Sequence, residues 1–120
     1  MQTADKIKKL REVGVDIDAA LERLGGVADL YFMVVPTFLE DKNYDLFLND
    51  IENDAYEDAM RHIHSLKGAS YNMGFCKIGD CTTKILLQLR DEEYDGLDEL
   101  IDNLSREYHL IRATLIELGL

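Results

Sequence analysis

Apolar residues recur at alternating four- and three-residue steps near the end of this 120-residue sequence. The positions are Leu97, Ile101, Leu104, Tyr108, Ile111, Leu115 and Leu118. At about 100° per residue, this spacing places them in one stripe along a long helix that ends at Gly119. Such a helix is stable only when its stripe is buried. The rest of the chain must therefore supply an apolar surface that covers this stripe.

A second amphipathic helix is predicted over residues 54–73, with Gly74 as its stop. Its stripe consists of Ala59, Ile63, Leu66, Ser70 and Met73. Asp54 followed by Glu57 has the spacing of a capping box, with Asp in place of Ser or Thr. The next helix carries Ile78, either Cys81 or Thr82, Ile85 and Leu89, and it ends before the acidic loop 91–95.

Shorter helices are predicted in the first part of the chain. Residues 3–12 and 17–24 each form a short amphipathic helix, and Asp16 or Asp18 can cap the second one. A strongly apolar run begins at Val27, where helix is favoured although Val34 and Val35 also allow a strand. Pro36 predicts a kink in this helix rather than a break. Residues 42–52 can simply continue the kinked helix.

No strand alternation, internal repeat or Gly/Ser linker interrupts this series of helices. The prediction is an all-α fold, an antiparallel up-down-up-down four-helix bundle with short N-terminal capping helices. Residues 1–120 form one domain, in which the short helices cover about 3–25 and the bundle about 27–118. A bundle that closes its own core requires no partner subunit, so we expect a monomer.

Charge and hydropathy exclude several classes of partner. The formal net charge of −11 argues against nucleic acid or an anionic membrane surface as a ligand, because phosphate backbones select for Lys and Arg. No apolar run approaches the roughly 20 residues that span a bilayer, and the N-terminus has no secretory apolar segment. We therefore expect a cytoplasmic protein.

One histidine on the helix over residues 54–73 combines exposure with two unusual neighbours. His64 points roughly 140° away from the centre of the apolar stripe, so it faces water. Lys67 and Gly68 follow at the spacings that make side chains adjacent on a helix. Glycine inside a helix costs about 0.5–1 kcal/mol relative to alanine, so Gly68 calls for a reason. The combination fits a histidine that accepts and passes on a phosphoryl group.

Each neighbour has a role in that chemistry. Lys67 supplies a compact positive charge to an anion attached to the imidazole ring. Gly68 leaves space for another macromolecule to approach the ring. A neutral imidazole, with an ordinary pKa near 6.5, needs little activation as a nucleophile.

The other candidate ligands and nucleophiles have ordinary structural explanations. His62 lies close to the apolar stripe, which indicates a packed or edge histidine, and it points too far from His64 to share a metal ion. His109 has no Lys or Gly at the matching offsets. Cys76 and Cys81 have neither a redox nor a zinc spacing, and we expect two reduced, half-buried thiols.

These residues also carry a resemblance to a known family. The run from His64 to Ser70, followed by Asn72-Met73-Gly74, resembles the signature of histidine-containing phosphotransfer (HPt) domains. The upstream run from Val15 to Gly26, with Leu30-Tyr31 and Phe38-Leu39 after it, is similar to the opening of free-standing members. Together the segments cover most of the chain. The resemblance implies the same helical bundle, with His64 as phosphoacceptor in a multistep phosphorelay.

The resemblance further implies partners and a division of labour. The partners are response-regulator receiver domains and a hybrid histidine kinase, and Mg²⁺ is supplied by the receiver, so that this chain needs no cofactor of its own. We expect a carrier without kinase activity, because no Gly-rich nucleotide loop or Walker lysine motif is present. The expected docking surface includes Arg61, Ser65, Lys67 and Tyr71 and exposed residues of the kinked helix.

Three alternatives remain open from the sequence. A non-catalytic bundle could keep the motif and sequester a receiver domain. A detached phosphotransfer domain of the chemotaxis-kinase type would take phosphate directly from an ATP-binding kinase domain, although Leu24-Gly25-Gly26 favours the free-standing relay form. A helical metal or redox protein would use Cys76, Cys81 and His62.

Overall fold

The computed structural model describes residues 1–120, and all regular secondary structure in it is helical. The eight helices are α1 (Thr3–Glu12), α2 (Ile17–Arg23), α3 (Ala28–Val34), α4 (Thr37–Glu40), α5 (Asn43–Glu52), α6 (Tyr56–Asn72), α7 (Cys76–Arg90) and α8 (Leu97–Glu117). The all-α prediction is confirmed. None of these helices combines the length and the apolar character needed to cross a membrane.

The long helices bury the predicted stripes. On α6, Ala59, Ile63, Leu66 and Ser70 are buried and Met73 is partly buried. On α8 the buried set is Leu97, Leu104, Tyr108, Ile111, Thr114 and Leu115, followed by Leu118 just after the helix. Of the two alternatives predicted for the stripe of α7, Thr82 is buried and Cys81 is partly buried. Helix α6 packs against α5 and α7, and α7 packs against α8.

Aromatic contacts fix α5 and the N-terminal helices onto this core. The ring of Tyr44 stacks on Tyr108 with 3.8 Å between centroids, and its hydroxyl donates to Ser105 Oγ at 2.7 Å. The buried Tyr31 of α3 donates its hydroxyl to the backbone oxygen of Met73 at 2.8 Å. The N-terminal segment therefore contacts the end of α6 that lies away from the α5–α6 turn.

The turn between α6 and α7 needs glycine for two reasons. Gly74 has φ +82°, and its backbone oxygen accepts the N–H of Asp16 at 2.8 Å. A Cβ at position 74 would lie 2.4 Å from the backbone oxygen of Asp16. Asp16 also caps α2 by accepting the N–H of Ala19 at 3.1 Å, so it is Asp16 and not Asp18 that fills the predicted capping position.

Replacing Gly74 with alanine is expected to lower the free energy of unfolding by about 3 kcal/mol, from left-handed strain together with the backbone clash. Gly25→Ala is the matched control, because Gly25 has φ +69° and open space around an added Cβ. That control is expected to lose about 1 kcal/mol. Urea unfolding of both variants measures the difference in the free energy of unfolding. Equal losses in the two variants would show that the backbone at Asp16 moves at little cost to make room for the added Cβ.

Pro36 separates α3 from α4 without an extended residue between them. Val35 and Pro36 keep helical torsions, with φ/ψ of −56°/−32° and −60°/−23°. Proline has no N–H to donate, so the helical hydrogen bonding is interrupted at this point. The strand that Val34 and Val35 allowed does not form.

The prediction that α5 could continue this helix is wrong. Asp41 has φ −68° and ψ 127°, which is extended backbone and ends α4. Its carboxylate accepts both the backbone N–H and the side-chain amide of Asn43 at 2.8 Å. A local turn held by the short Asp41 side chain thus competes with helix continuation, and α5 starts separately after it.

The predicted capping box at Asp54 is also wrong. Asp54 has φ +54° and follows the end of α5, where Asp54 N–H donates to Ile51 O and Ala55 N–H to Asp50 O. This hydrogen-bond pattern is that of a Schellman motif. A residue in the left-handed conformation of such a turn cannot also take the extended conformation of an N-cap. Helix α6 therefore begins at Tyr56, whose hydroxyl donates to the Asp54 carboxylate at 3.0 Å.

Candidate functional site

His64 lies on the exposed face of α6, on the side of the helix opposite its buried stripe. Burial of Ile63 and Leu66 fixes the rotation of α6, and this rotation leaves His64, Ser65 and Gly68 exposed to solvent. No hydrogen bond or ion pair engages the His64 ring. Both ring nitrogens are therefore available to a reacting group.

Gly68 leaves open space one turn beyond His64. A Cβ built at this position meets no atom within 4 Å outside the local helix. Internal packing therefore gives no reason for glycine here, unlike at Gly74. The absence of a side chain at position 68 instead leaves the surface beside His64 open to an approaching molecule.

Lys67 lies on the flank of α6, and its side chain is half-buried. Helical side chains lean toward the N-terminus of their helix, so the aliphatic stem of Lys67 leans toward the turn that carries His64. This geometry lets the ammonium group approach an anion on the His64 ring.

A shallow depression of about 250 Å³ surrounds His64 between two helices. It is lined by Met60, Arg61 and His64 of α6 and by Leu86 and Arg90 of α7. Arg90 adds a second long cation beside the histidine, on the last turn of the neighbouring helix. Met60, Leu86 and Arg90 were not predicted from the sequence to line the same depression as His64. The four-residue spacing of Leu86 and Arg90 places them on one face of α7, but the register of α7 against α6 is a tertiary property.

Tyr71 fixes that register. Its hydroxyl lies 2.6 Å from Asp80 Oδ1 and 3.4 Å from Thr83 Oγ1 of α7. Gly79 makes room for the ring, because a Cβ there would lie 2.5 Å from two of its carbons. The hydrogen bond to Asp80 raises the pKa of Tyr71. Tyr71, predicted as a docking residue, is therefore half-buried between α6 and α7.

Ser65 and Arg61, two further predicted docking residues, are exposed. Ser65 is open to solvent beside His64. Arg61 is also exposed, and its guanidinium donates to the carboxylate of Asp58 one turn earlier on α6. This hydrogen bond raises the pKa of Arg61, with further contributions from the charges of Asp50 and Glu57.

The remaining histidines occupy structural positions. His62 is half-buried, and its Nδ1 lies 2.5 Å from Oδ2 of the buried Asp50 on α5. This contact agrees with the predicted edge position. His109 is exposed on α8 and makes edge-to-face contacts with Tyr44 and Tyr108.

Both cysteines are free and half-buried on α7. Burial raises the pKa of Cys76 and of Cys81, which keeps both thiols protonated at neutral pH. No group of three or more His, Cys, Asp or Glu side chains is arranged to hold a metal ion. The structure does not bring Cys76, Cys81 and His62 together, as a metal or redox centre would require.

Comparison with models of protein families identifies a family for most of the chain. The family model described as "Hpt domain" matches residues 10–115, which is nearly the whole chain. The matched region contains the buried stripes of α6 and α7, that of α8 as far as Leu115, and the exposed face around His64. Neither a curated protein nor a solved structure matches the chain.

Proposed function

Because the chain belongs to the Hpt domain family, we propose that it serves its phosphorelay by carrying the phosphoryl group on His64. The donor is a receiver-domain aspartyl phosphate, such as that of a hybrid histidine kinase, and the acceptor is a receiver aspartate of a response regulator. The observation that carries the assignment is an exposed, unpaired His64 beside Lys67 and Gly68, with Arg90 across the depression.

The transfer needs one nucleophilic atom from this chain. The lone pair of His64 Nε2 attacks the phosphorus, and the N–P bond forms as the P–O bond of the acyl phosphate breaks. The receiver carboxylate leaves with the bonding electrons, while the phosphorylated ring keeps its proton at Nδ1 or releases it to water. In the reverse direction, a receiver aspartate displaces the imidazole.

Positive side chains around His64 would stabilise the charge of the transferred group. Phosphoryl transfer depends mainly on positioning and charge neutralisation. Lys67 on α6 and Arg90 on α7 can approach the phosphoryl oxygens from two sides, and the open surface at Gly68 would admit the loops of the receiver. Mg²⁺ and the remaining stabilisation would belong to the receiver, so no cofactor is assigned to this chain.

We further propose that the long helices form an antiparallel up-down-up-down bundle and that the protein acts as a monomer. The turns between α5 and α6 and between α6 and α7 are short, and each of these helix pairs is in contact. Short connections between packed helices favour antiparallel neighbours. The N-terminal helices would then cap the end of the bundle at Gly74.

Transfer of radiolabelled phosphate from a phosphorylated receiver to the purified protein tests the proposed function. A product that is labile in acid and stable in alkali is expected, since this is the behaviour of a phosphohistidine. Phosphorylation only by an ATP-binding kinase domain, with none from receivers, would support the chemotaxis-kinase alternative instead.

Replacing Arg90 with glutamine is expected to slow phosphate uptake from a receiver about tenfold, because a charge next to the phosphoryl oxygens is lost. A tenfold decrease is smaller than the decrease expected for a buried hydrogen-bond donor, because solvent in the open depression screens the charge of Arg90. Quenched-flow time courses with excess phosphorylated receiver measure the rate of phosphate uptake.

Lys84→Gln is the matched control for Arg90→Gln. Lys84 is an exposed cation of the same helix and lines a different groove, between α7 and α8. Its loss changes the net charge equally and is expected to leave the rate nearly unchanged. Equal slowing by both variants would mean that net charge, and not the position of Arg90, governs transfer.

A further inference from the structure

Arg61 lies between two potential anions on the same face of α6. Asp58, Arg61 and His64 follow one another at three-residue spacing, which makes each a neighbour of the next. The guanidinium of Arg61 is paired with Asp58, and the Arg61 side chain also lines the depression that contains His64.

The direction of helical side chains brings the His64 ring toward Arg61. Side chains lean over the turn that precedes them, so the ring of His64 extends over the turn that carries Arg61. A phosphoryl group on Nε2 would therefore be added above the turn that carries Arg61, whose guanidinium in the unphosphorylated protein points one turn further back, to Asp58. Arg61 could reach it by rotating its long side chain, without movement of the helix.

The present partner of Arg61 is easily displaced. The side chains of Arg61 and Asp58 are 71% and 51% exposed, and ion pairs of such exposure contribute little to stability. A phosphoryl group carries close to two negative charges and accepts two parallel hydrogen bonds from a guanidinium. A phosphoryl group would therefore compete well against one exposed carboxylate.

We propose that Arg61 is a phosphorylation-dependent positioning residue, which pairs with Asp58 in the free carrier and with the phosphoryl oxygens in the phosphorylated carrier. This inference rests on the proposed role of His64. Asp58 acts as the competitor that holds Arg61 away until phosphate arrives. The balance between the two anions then sets the lifetime of the phosphohistidine.

The lifetime can be measured without a protein partner. Purified wild-type protein and variants are phosphorylated with phosphoramidate, a small donor that modifies histidine, and decay of the phosphohistidine is followed by ³¹P NMR. Arg61→Gln is expected to shorten the half-life about two- to fivefold, and Asp58→Asn to lengthen it by a similar factor. Arg61→Lys is expected to restore part of the lost lifetime, since it keeps the charge but not the planar fork.

The double variant Asp58→Asn with Arg61→Gln separates competition from general charge. If Asp58 acts through Arg61, its replacement has no further effect once Arg61 is absent. Glu57→Gln is the matched control, because Glu57 is an exposed neighbouring acid that forms no hydrogen bond with Arg61. It is expected to change the half-life much less than Asp58→Asn.

A spectroscopic readout reports the exchange of partners directly. The side-chain Nε–H resonance of Arg61 is expected to shift when the wild-type protein is phosphorylated. The same treatment of His64→Gln is expected to leave it unchanged. An unmoved resonance and equal half-lives in a protein that is phosphorylated on His64 would overturn the inference and leave the proposed function intact. Failure of His64 to be phosphorylated by phosphoramidate or by receivers would overturn both.

Discussion

Replacing His64 with glutamine is expected to reduce phosphate uptake from a phosphorylated receiver to the background level. Glutamine has no nitrogen that can form a stable bond to phosphorus, so the nucleophile is lost while polarity and approximate size are kept. His64 is exposed and forms no hydrogen bond in the structure, and glutamine is a good helix former. The free energy of unfolding is therefore expected to change by less than about 0.5 kcal/mol.

His109→Gln is the matched control for this experiment, because His109 is an exposed histidine on α8. It is expected to take up label like the wild type. Circular dichroism and thermal unfolding of both variants establish that the fold is retained. Label that persists in His64→Gln would place the phosphoacceptor elsewhere. Receiver binding that survives His64→Gln, in a protein that no receiver labels, would identify the sequestering module.

The helices that could be predicted most fully are those whose evidence lies within one segment. The four- and three-residue steps of α8 depend only on the geometry of a single helix, and the predicted stripe is buried apart from the partly buried Ile101. His64 and Gly68 were predicted from the same kind of spacing to lie on the exposed face of α6, where the structure has them. Rotation of a helix about its own axis is thus readable from periodicity.

Helix boundaries were less predictable where two local motifs competed for one residue. Asp54 has the right spacing for a capping box, yet it serves as the left-handed residue that ends α5. Asp41 is extended between α4 and α5, and its carboxylate accepts the N–H of Asn43. At Asp54 the backbone N–H closes the end of α5, whereas at Asp41 the carboxylate accepts the N–H of Asn43 at the start of α5. In both cases one residue has two possible local arrangements, and the sequence alone does not rank them.

Contacts between helices could not be predicted from the sequence. Arg90 stands 26 residues after His64 and becomes its neighbour only through the register of α7 against α6. That register depends on the fit of the Tyr71 ring against Gly79. The presence of a glycine inside α7 does not predict this contact unless the residue that faces it is already known. The chemical centre of the site was therefore predictable, and the side chains across the groove were not.

Substitutions at Gly68 are expected to affect stability and docking in opposite directions. Gly68→Ala is expected to raise the free energy of unfolding by about 0.5–1 kcal/mol, because alanine is the better helix former and the added Cβ meets no atom within 4 Å. Gly68→Gln is likewise expected to fold. Its longer side chain, however, would stand where a receiver must approach His64. Uptake from a phosphorylated receiver is expected to fall about 100-fold, since displacement by even 1 Å has effects of that order.

A small donor shows whether the loss is steric. Phosphoramidate needs no docking surface, so it is expected to phosphorylate His64 in Gly68→Gln at nearly the wild-type rate. Ala113→Gln, which places the same side chain on the exposed face of α8, is expected to accept phosphate normally from both donors.

Wild-type uptake from a receiver by Gly68→Gln would remove the steric argument. Slow uptake from both donors would instead mean that the glutamine disturbs the imidazole itself. Rapid uptake from phosphoramidate alone would establish that Gly68 serves the approach of the protein partner, and that its cost in helix stability is tolerated for this reason.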